Sequence, residues 1–494
     1  MNQAERPSLQ ALLRRLVSHS ALYGAADVFV NAVNFFLLPL YTAFLTAEDY
    51  GALGLLTLFG TVAKIVFRLG LDAGFFRTYY DLPEGEDRRR LAGSCALFAA
   101  LIGGMLLAGV VLWAPQLTRL LFSHSRPPLS WVVLTAADVY LSGFAFVPQA
   151  LLRVRDRPGL FSAFAGGRHL VNILLKIILL TRGWGVTGAL WSDLIASGVF
   201  ALIQLPILWG GARWSLSWRL LKPALAFGLP KVPHGFLIQV QNLADRKILD
   251  LFVSQAQLGV YQICYGFGSG VKFASSAFEP AWGPFIYSEI KKPDAPRTLA
   301  RVITYAFGAF SAVGLAVAVL ARELLALMTP RRPEVWPGAP LVPVVVLAYL
   351  LHGFFLLTSI GIGIERKARY YPLVTLAAAT TNLVANFLLI PRWGIMGAAW
   401  ATVVSYFVMT ALGLAISQRL YPTPLETGRL LRLAGTAALV FALSRLVSTG
   451  LWSALAAKCA LLLAFPGLLL ASGFLNATER AWLRSRWDGR KAAV

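Results

Sequence analysis

Uninterrupted apolar stretches recur along the chain, each about as long as the ~20 residues a helix needs to cross a bilayer. They fall at 20–45, 51–70, 91–113, 131–152, 159–181, 185–209, 223–244, 259–281, 299–320, 340–364, 371–391, 394–417, 431–450 and 452–474. Arginine- and lysine-rich segments separate many of them. No alternation of apolar and polar positions at strand length competes with this pattern, which argues against a transmembrane barrel. The pattern predicts an all-α polytopic membrane protein with about 14 transmembrane helices.

The second half repeats the first. Phe59-Gly60-Thr61-Val62-Ala63-Lys64 returns 208 residues later as Phe267-Gly268-Ser269-Gly270-Val271-Lys272. Asn34 meets Asn242 and Gly51 meets Gly259 at the same offset of 208. Trp184-Gly185-Val186-Thr187-Gly188-Ala189 matches Trp393-Gly394-Ile395-Met396-Gly397-Ala398 at 209. An offset held across six helices predicts a duplication. Six is even, so the two repeats run parallel, related by an axis along the membrane normal. The expected organisation is a lead-in at 1–19, a six-helix bundle at 20–210 and a linker at 211–222. A second bundle follows at 223–417, then a basic loop with helices thirteen and fourteen at 418–474, and a basic tail at 475–494.

Charge fixes orientation more than it suggests a ligand. The chain carries 45 Lys and Arg against 23 Asp and Glu, a net charge of +22. With the N-terminus inside, 29 of the 45 fall in cytoplasmic segments, 10 on the opposite side and six within spans. That bias satisfies the positive-inside rule with both termini cytoplasmic, so nucleic acid is not implied. The first apolar run is longer than a signal-peptide core and lacks a small-residue cleavage pattern, so it reads as the first helix. Cys95, Cys264 and Cys459 have neither pairing nor metal spacing and read as packing residues.

The motifs resemble a known family. Asn34-Phe35-Phe36-Leu37-Leu38-Pro39-Leu40-Tyr41-Thr42, Glu48-Asp49-Tyr50-Gly51 and Gly70-Leu71-Asp72-Ala73-Gly74-Phe75-Phe76-Arg77 are similar to the opening of polysaccharide-biosynthesis membrane proteins. Asp245-Arg246-Lys247 followed by Leu258-Gly259-Val260-Tyr261 fits the same pattern. These are Wzx-type oligosaccharide flippases, the polysaccharide branch of the multidrug/oligosaccharidyl-lipid/polysaccharide exporter superfamily, and the resemblance covers residues 20–420. It implies two six-helix bundles in a V around a central cavity, plus two further helices. It also implies transfer of undecaprenyl-pyrophosphate-linked oligosaccharide between leaflets of a bacterial inner membrane. A polysaccharide polymerase is a candidate partner. Rival readings are a lipid II flippase and a multidrug or metabolite exporter of the same superfamily.

Enzymatic signatures are absent from the sequence. There is no G-x-x-x-x-G-K-[ST] and no H-E-x-x-H, and the five histidines do not cluster, so neither ATP hydrolysis by that route nor a cofactor is expected. The chemistry rests on polar groups inside the spans, where a charge is costly and therefore a candidate functional group. The bases there are Lys64, Arg168, Lys176, Lys231, Lys272 and Lys458, and the acids Asp27, Asp138, Asp193 and Glu279. Lys64 and Lys272, at equivalent places in the two halves, are expected to hold an anionic head group jointly. Arg168, Asn172 and Lys176 form one stripe of a helix, expected either to line a cavity or to pair with Asp138 and Asp193. Lys231 is a further cavity candidate. Asp27, Asn31 and Asn34 share one face, with Asn242, Asp245 and Glu279 as further polar cavity residues. Asp27 is the candidate for a coupling proton or cation, since burial favours the neutral carboxyl. Lys458 is expected to snorkel or to pack against another subunit.

Overall fold

The computed structural model describes residues 37–475 and 479, except 156, 291, 366, 368, 448 and 449. Helices occupy every expected apolar stretch from 51–70 to 452–474, and no strand occurs among the described residues. Of the first stretch, only Leu38–Phe44 is described as helix; Asp27, Asn31 and Asn34 lie outside the described residues. Nine helical segments among the described residues are long and apolar enough to span a bilayer. The protein is an all-α, multi-pass membrane protein.

Local chemistry explains where the helices begin and break. Thr46 caps Ala47–Arg68: its hydroxyl accepts from the Asp49 amide at 3.1 Å, and the Asp49 carboxylate accepts from the Thr46 amide at 2.8 Å. The fourth expected span is two helices, Leu129–Phe144 and Phe146–Val154. Pro148 accounts for the break, because a proline ring clashes with the carbonyl four residues earlier, here that of Phe144. The seventh is likewise divided into Trp218–Gly228 and Lys231–Phe252 at Leu229-Pro230. Neither of these two is among the strongly apolar segments, since Lys231, Asp245, Arg246, Lys247 and Asp250 interrupt the second. The eleventh and twelfth are joined in Tyr370–Leu420, bent where Gly394 takes φ 53° and ψ −133°, a conformation open to glycine.

Two compact units emerge. The first comprises Met1–Ile263, Met328–Val335 and Pro372–Ser405; the second comprises Cys264–Leu327, Trp336–Tyr371 and Tyr406–Val494. This division follows contacts, whereas the repeat at 20–210 and 223–417 follows sequence similarity, and the two need not coincide. Within the first unit, Leu71, Phe75, Leu91, Cys95, Phe146 and Leu221 pack in one core. Ser94 straps the 211–222 linker to its helix, donating to the Ser215 carbonyl at 2.7 Å and accepting from the Ser217 amide at 2.9 Å. Within the second unit, Leu315 and Val319 pack with Leu433, Val440 and Phe465, which fixes helices Thr427–Arg445 and Leu451–Ala471 against Ala295–Val319. Cys95 and Cys264 are buried and unbonded, as packing residues should be.

Lys458 departs from expectation. It neither snorkels nor faces solvent: its ammonium donates to Glu323 Oε1 at 2.7 Å, and both side chains are buried. Glu323 is separated from it by 135 residues, which is why no local pattern announced the pair.

Candidate functional site

Five helices of the first unit line a cavity of about 450 Å³, Phe146–Val154 contributing Gln149, within the range of small-molecule sites. Helix Ala47–Arg68 contributes Thr57, Thr61, Lys64 and Arg68. Leu129–Phe144 contributes Thr135 and Asp138, Pro158–Thr181 contributes Arg168 and His169, and Gly185–Gly211 contributes Asp193. Close packing brings these helices together. A Cβ on Gly60 would meet the Thr135 methyl at 3.1 Å, so glycine permits the approach of the first two helices.

Most charges in the cavity are matched. The Ser197 hydroxyl donates to Asp138, and Arg168 donates to that same hydroxyl at 2.8 Å while lying 3.5 Å from the Asp138 carboxylate. Asn172 donates to Asp193 Oδ1 at 2.6 Å, and Lys176 reaches the same oxygen at 3.4 Å. The stripe Arg168, Asn172, Lys176 therefore does both things expected of it. It ties three helices together through the two acids, and through Arg168 it also faces the cavity. Lys176 reaches Asp193 without lining the cavity itself.

Lys64 is the exception. Its side chain is exposed to the cavity and makes no ion pair or hydrogen bond among the described residues. Arg68, one turn on, is 3.9 Å from Asp72, which is itself half exposed. With Asp138 and Asp193 each paired to a cation of its own, Lys64 carries positive charge that they do not offset. An ammonium in surroundings of low dielectric attracts an anion more strongly than it would in water.

The other sequence candidates fall elsewhere. Asp245 is buried off the cavity: Arg246 lies 2.7 Å from its Oδ1, Tyr261 donates to its Oδ2, and Arg246 also donates to Gln262 at 3.1 Å. Arg246 is its neighbour on the same helix, while Tyr261 and Gln262 come from the next one, so tertiary packing completes the burial. Lys231 and Asn242 lie on helix Lys231–Phe252, and their side chains are outside the described residues. Lys272 and Glu279 belong to the second unit, both exposed and seven positions apart on helix Val271–Glu289, hence on one face.

Arg68, Thr57 and Thr61 were not among the sequence candidates. A signal existed. Thr57, Thr61, Lys64 and Arg68 stand at i, i+4, i+7 and i+11, a polar stripe of helical period on an otherwise apolar span.

Comparison with known proteins agrees with the motifs. The model of a family described as polysaccharide biosynthesis protein matches residues 42–278, just under half of the chain. A curated relative, "Probable flippase AglR" of Haloferax volcanii, is 24% identical over 288 residues, covering 56% of this chain and 58% of the relative. The fold resembles that of the lipid II flippase MurJ in an inward closed conformation, with a TM-score of 0.72 over 92% of this chain and 98% of that one at 12% identity. It also resembles an inward-facing multidrug resistance MATE family transporter of the MOP superfamily, with a TM-score of 0.61 over 79% and 97% at 14% identity. At those identities the likeness is one of fold. The resemblance to the polysaccharide branch, read from the motifs, is borne out.

Proposed function

We propose that this protein is a flippase that moves undecaprenyl-pyrophosphate-linked oligosaccharide from the cytoplasmic to the periplasmic leaflet of a bacterial inner membrane by alternating access. The observation that carries the reading is Lys64, a cation without an ion pair among the described residues, on the wall of a 450 Å³ cavity inside a membrane-spanning unit. A diphosphate is the part of such a substrate that this site suits. The descriptions of the matched family and of the curated relative, polysaccharide biosynthesis and flippase, support the same reading. Lys272, exposed on its own helix in the second unit, is assigned the same class of role. No covalent step is involved, and membrane lipids and the lipid-linked glycan are the ligands.

Loss of the protein should leave lipid-linked oligosaccharide on the cytoplasmic side and surface glycan depleted. Lys64→Ala should reproduce much of that loss and Lys64→Arg little of it, with Lys272→Ala deepening the defect. The measurement is surface glycan at matched membrane levels of protein. Normal glycan in the double alanine variant would remove the phosphate role. A deletion strain with normal surface glycan but arrested peptidoglycan synthesis would instead favour lipid II, the cargo of the MurJ-like neighbour.

Both termini are proposed to be cytoplasmic. Reporter fusions at Arg155 and Lys367 should then report cytoplasm and a fusion at Arg331 periplasm. The reverse at any two sites defeats this orientation.

A further inference from the structure

The 211–222 linker presents an apolar face that the described residues leave open. Between helices Gly185–Gly211 and Trp218–Gly228 the chain runs extended, with φ −115° and ψ 149° at Ala212 and φ −107° and ψ 103° at Ser217. Successive side chains of an extended segment point to opposite sides. Here the alternation is complete: Ser215 and Ser217 are half-buried, the Ser215 hydroxyl fully so, whereas Trp214, Leu216 and Trp218 are 47%, 55% and 59% exposed.

The linker's place on helix Glu86–Leu112 gives its depth. The Arg213 amide donates to the Arg89 carbonyl at 2.8 Å, and the two bonds to Ser94 hold residues 215 and 217 beside that helix. A Cβ on Gly93 would strike the Arg213 carbonyl, so glycine lets the linker lie directly on the helix. The crossing therefore falls where Glu86-Asp87-Arg88-Arg89-Arg90 gives way to the apolar run that opens at Leu91. On a spanning helix that change marks the boundary between head groups and acyl chains, the level at which tryptophan is enriched.

The charge beside this face is positive and partly unmatched. Arg90 and Arg213 share Glu86, and Arg219 lies 3.3 Å from Asp87. Arg89 and Lys222 are exposed and have no ion pair among the described residues. Trp218, Arg219 and Lys222 lie on the open side of helix Trp218–Gly228, whose other side, with Leu221 and Leu225, enters the core of the first unit.

We infer that the linker is a binding site for anionic phospholipid. Trp214, Leu216 and Trp218 rest against the glycerol and the first acyl carbons, and Arg89 and Lys222 hold a head-group phosphate that no choline offsets. Phosphatidylglycerol belongs to this class. Charge that served orientation alone would need no aromatic face beside it, and a protein partner would have to reach a face set at the edge of the hydrocarbon. The assignment is independent of the cargo.

The test uses the purified full-length protein in two arms. In the first, Leu216→Cys in a Cys459→Ser background carries a nitroxide, Cys95 and Cys264 being buried. In vesicles of phosphatidylcholine mixed with phosphatidylglycerol, oxygen dissolved in the acyl chains should relax the label and an aqueous nickel chelate should not. Access to the chelate would overturn the proposal, the face then meeting solvent or awaiting a protein. In the second arm, native mass spectrometry compares retention of phosphatidylglycerol and phosphatidylcholine. The wild type should prefer phosphatidylglycerol, and Arg89→Gln with Lys222→Gln should cut that preference about tenfold. Trp214→Ser with Trp218→Ser should weaken retention of both lipids. Equal retention of the two lipids by the wild type would overturn the anionic assignment, as would a preference that survives the paired glutamine variant. Arg89 and Lys222 are both exposed, so their replacement leaves the packing of the unit intact.

Discussion

Gly259→Leu is expected to abolish accumulation of folded protein, and Gly51→Leu to come close. A Cβ at Gly259 would fall 1.6 Å from the carbonyl oxygen of Ala47, and one at Gly51 would fall 2.2 Å from that of Gln255. Both obstacles are main-chain atoms inside helices, which cannot rotate aside as a side-chain tip can. The contact is reciprocal, residue 51 resting on 255 and residue 259 on 47, and the offset of 208 seen in the sequence relates 51 to 259 and 47 to 255. Separating the two helices would also disturb what surrounds the crossing, including the packing of Gly54, where a Cβ would lie 3.3 Å from the Gln262 side chain. Overpacking of this kind typically costs about 1–3 kcal/mol, and a clash against backbone belongs at or above the top of that range. The measurement is membrane level and melting temperature in detergent. Normal values for both leucine variants would show that this crossing is not the resting packing of the helices.

The second large effect concerns Lys458 and Glu323. Glu323 is 3% exposed and Lys458 8%, and Glu323 Oε2 has no hydrogen-bond partner among the described residues. A buried pair of this sort is expensive to break and cheap to replace. Removing one partner strands a charge, at about 3–5 kcal/mol, whereas exchanging both for apolar groups of similar size is often neutral or stabilising. Lys458→Ala and Glu323→Ala should therefore each lower the melting temperature sharply. Lys458→Met combined with Glu323→Leu should restore it. If the combined variant is as unstable as either single one, the pair is not the source of the loss. Because the pair joins helix Leu451–Ala471 to the short helix Ala321–Met328, its single variants should also loosen the last helix. Faster proteolysis near its ends is the expected sign.

The spans were legible because bilayer crossing is a local demand: a stretch of sufficient length and apolarity forms a helix wherever it lies in the chain. The stripe of Arg168, Asn172 and Lys176 was legible for a similar reason, since helical period alone puts the three on one face. Its two readings stayed open in the sequence because choosing between them needs the neighbouring helices. Packing supplied Asp138 and Asp193 from two different helices, so the stripe pairs with both acids, and of its three residues Arg168 lines the cavity. Arg68, which closes helix Ala47–Arg68, counts among the cytoplasmic charges of the positive-inside tally, whereas its side chain lines the cavity.

What the sequence determined by itself is the membrane class, the placement of the helices and the presence of charge within the spans. What only the tertiary structure decided is how that charge is settled. Asp245 is enclosed by Arg246 and Tyr261, Lys458 finds Glu323 across 135 residues, and Lys64 is left facing open space. The physical reason is that hydropathy and period act over one or a few turns of chain, while an ion pair needs two atoms within a few ångströms. That proximity belongs to the way helices pack, and no single segment contains it.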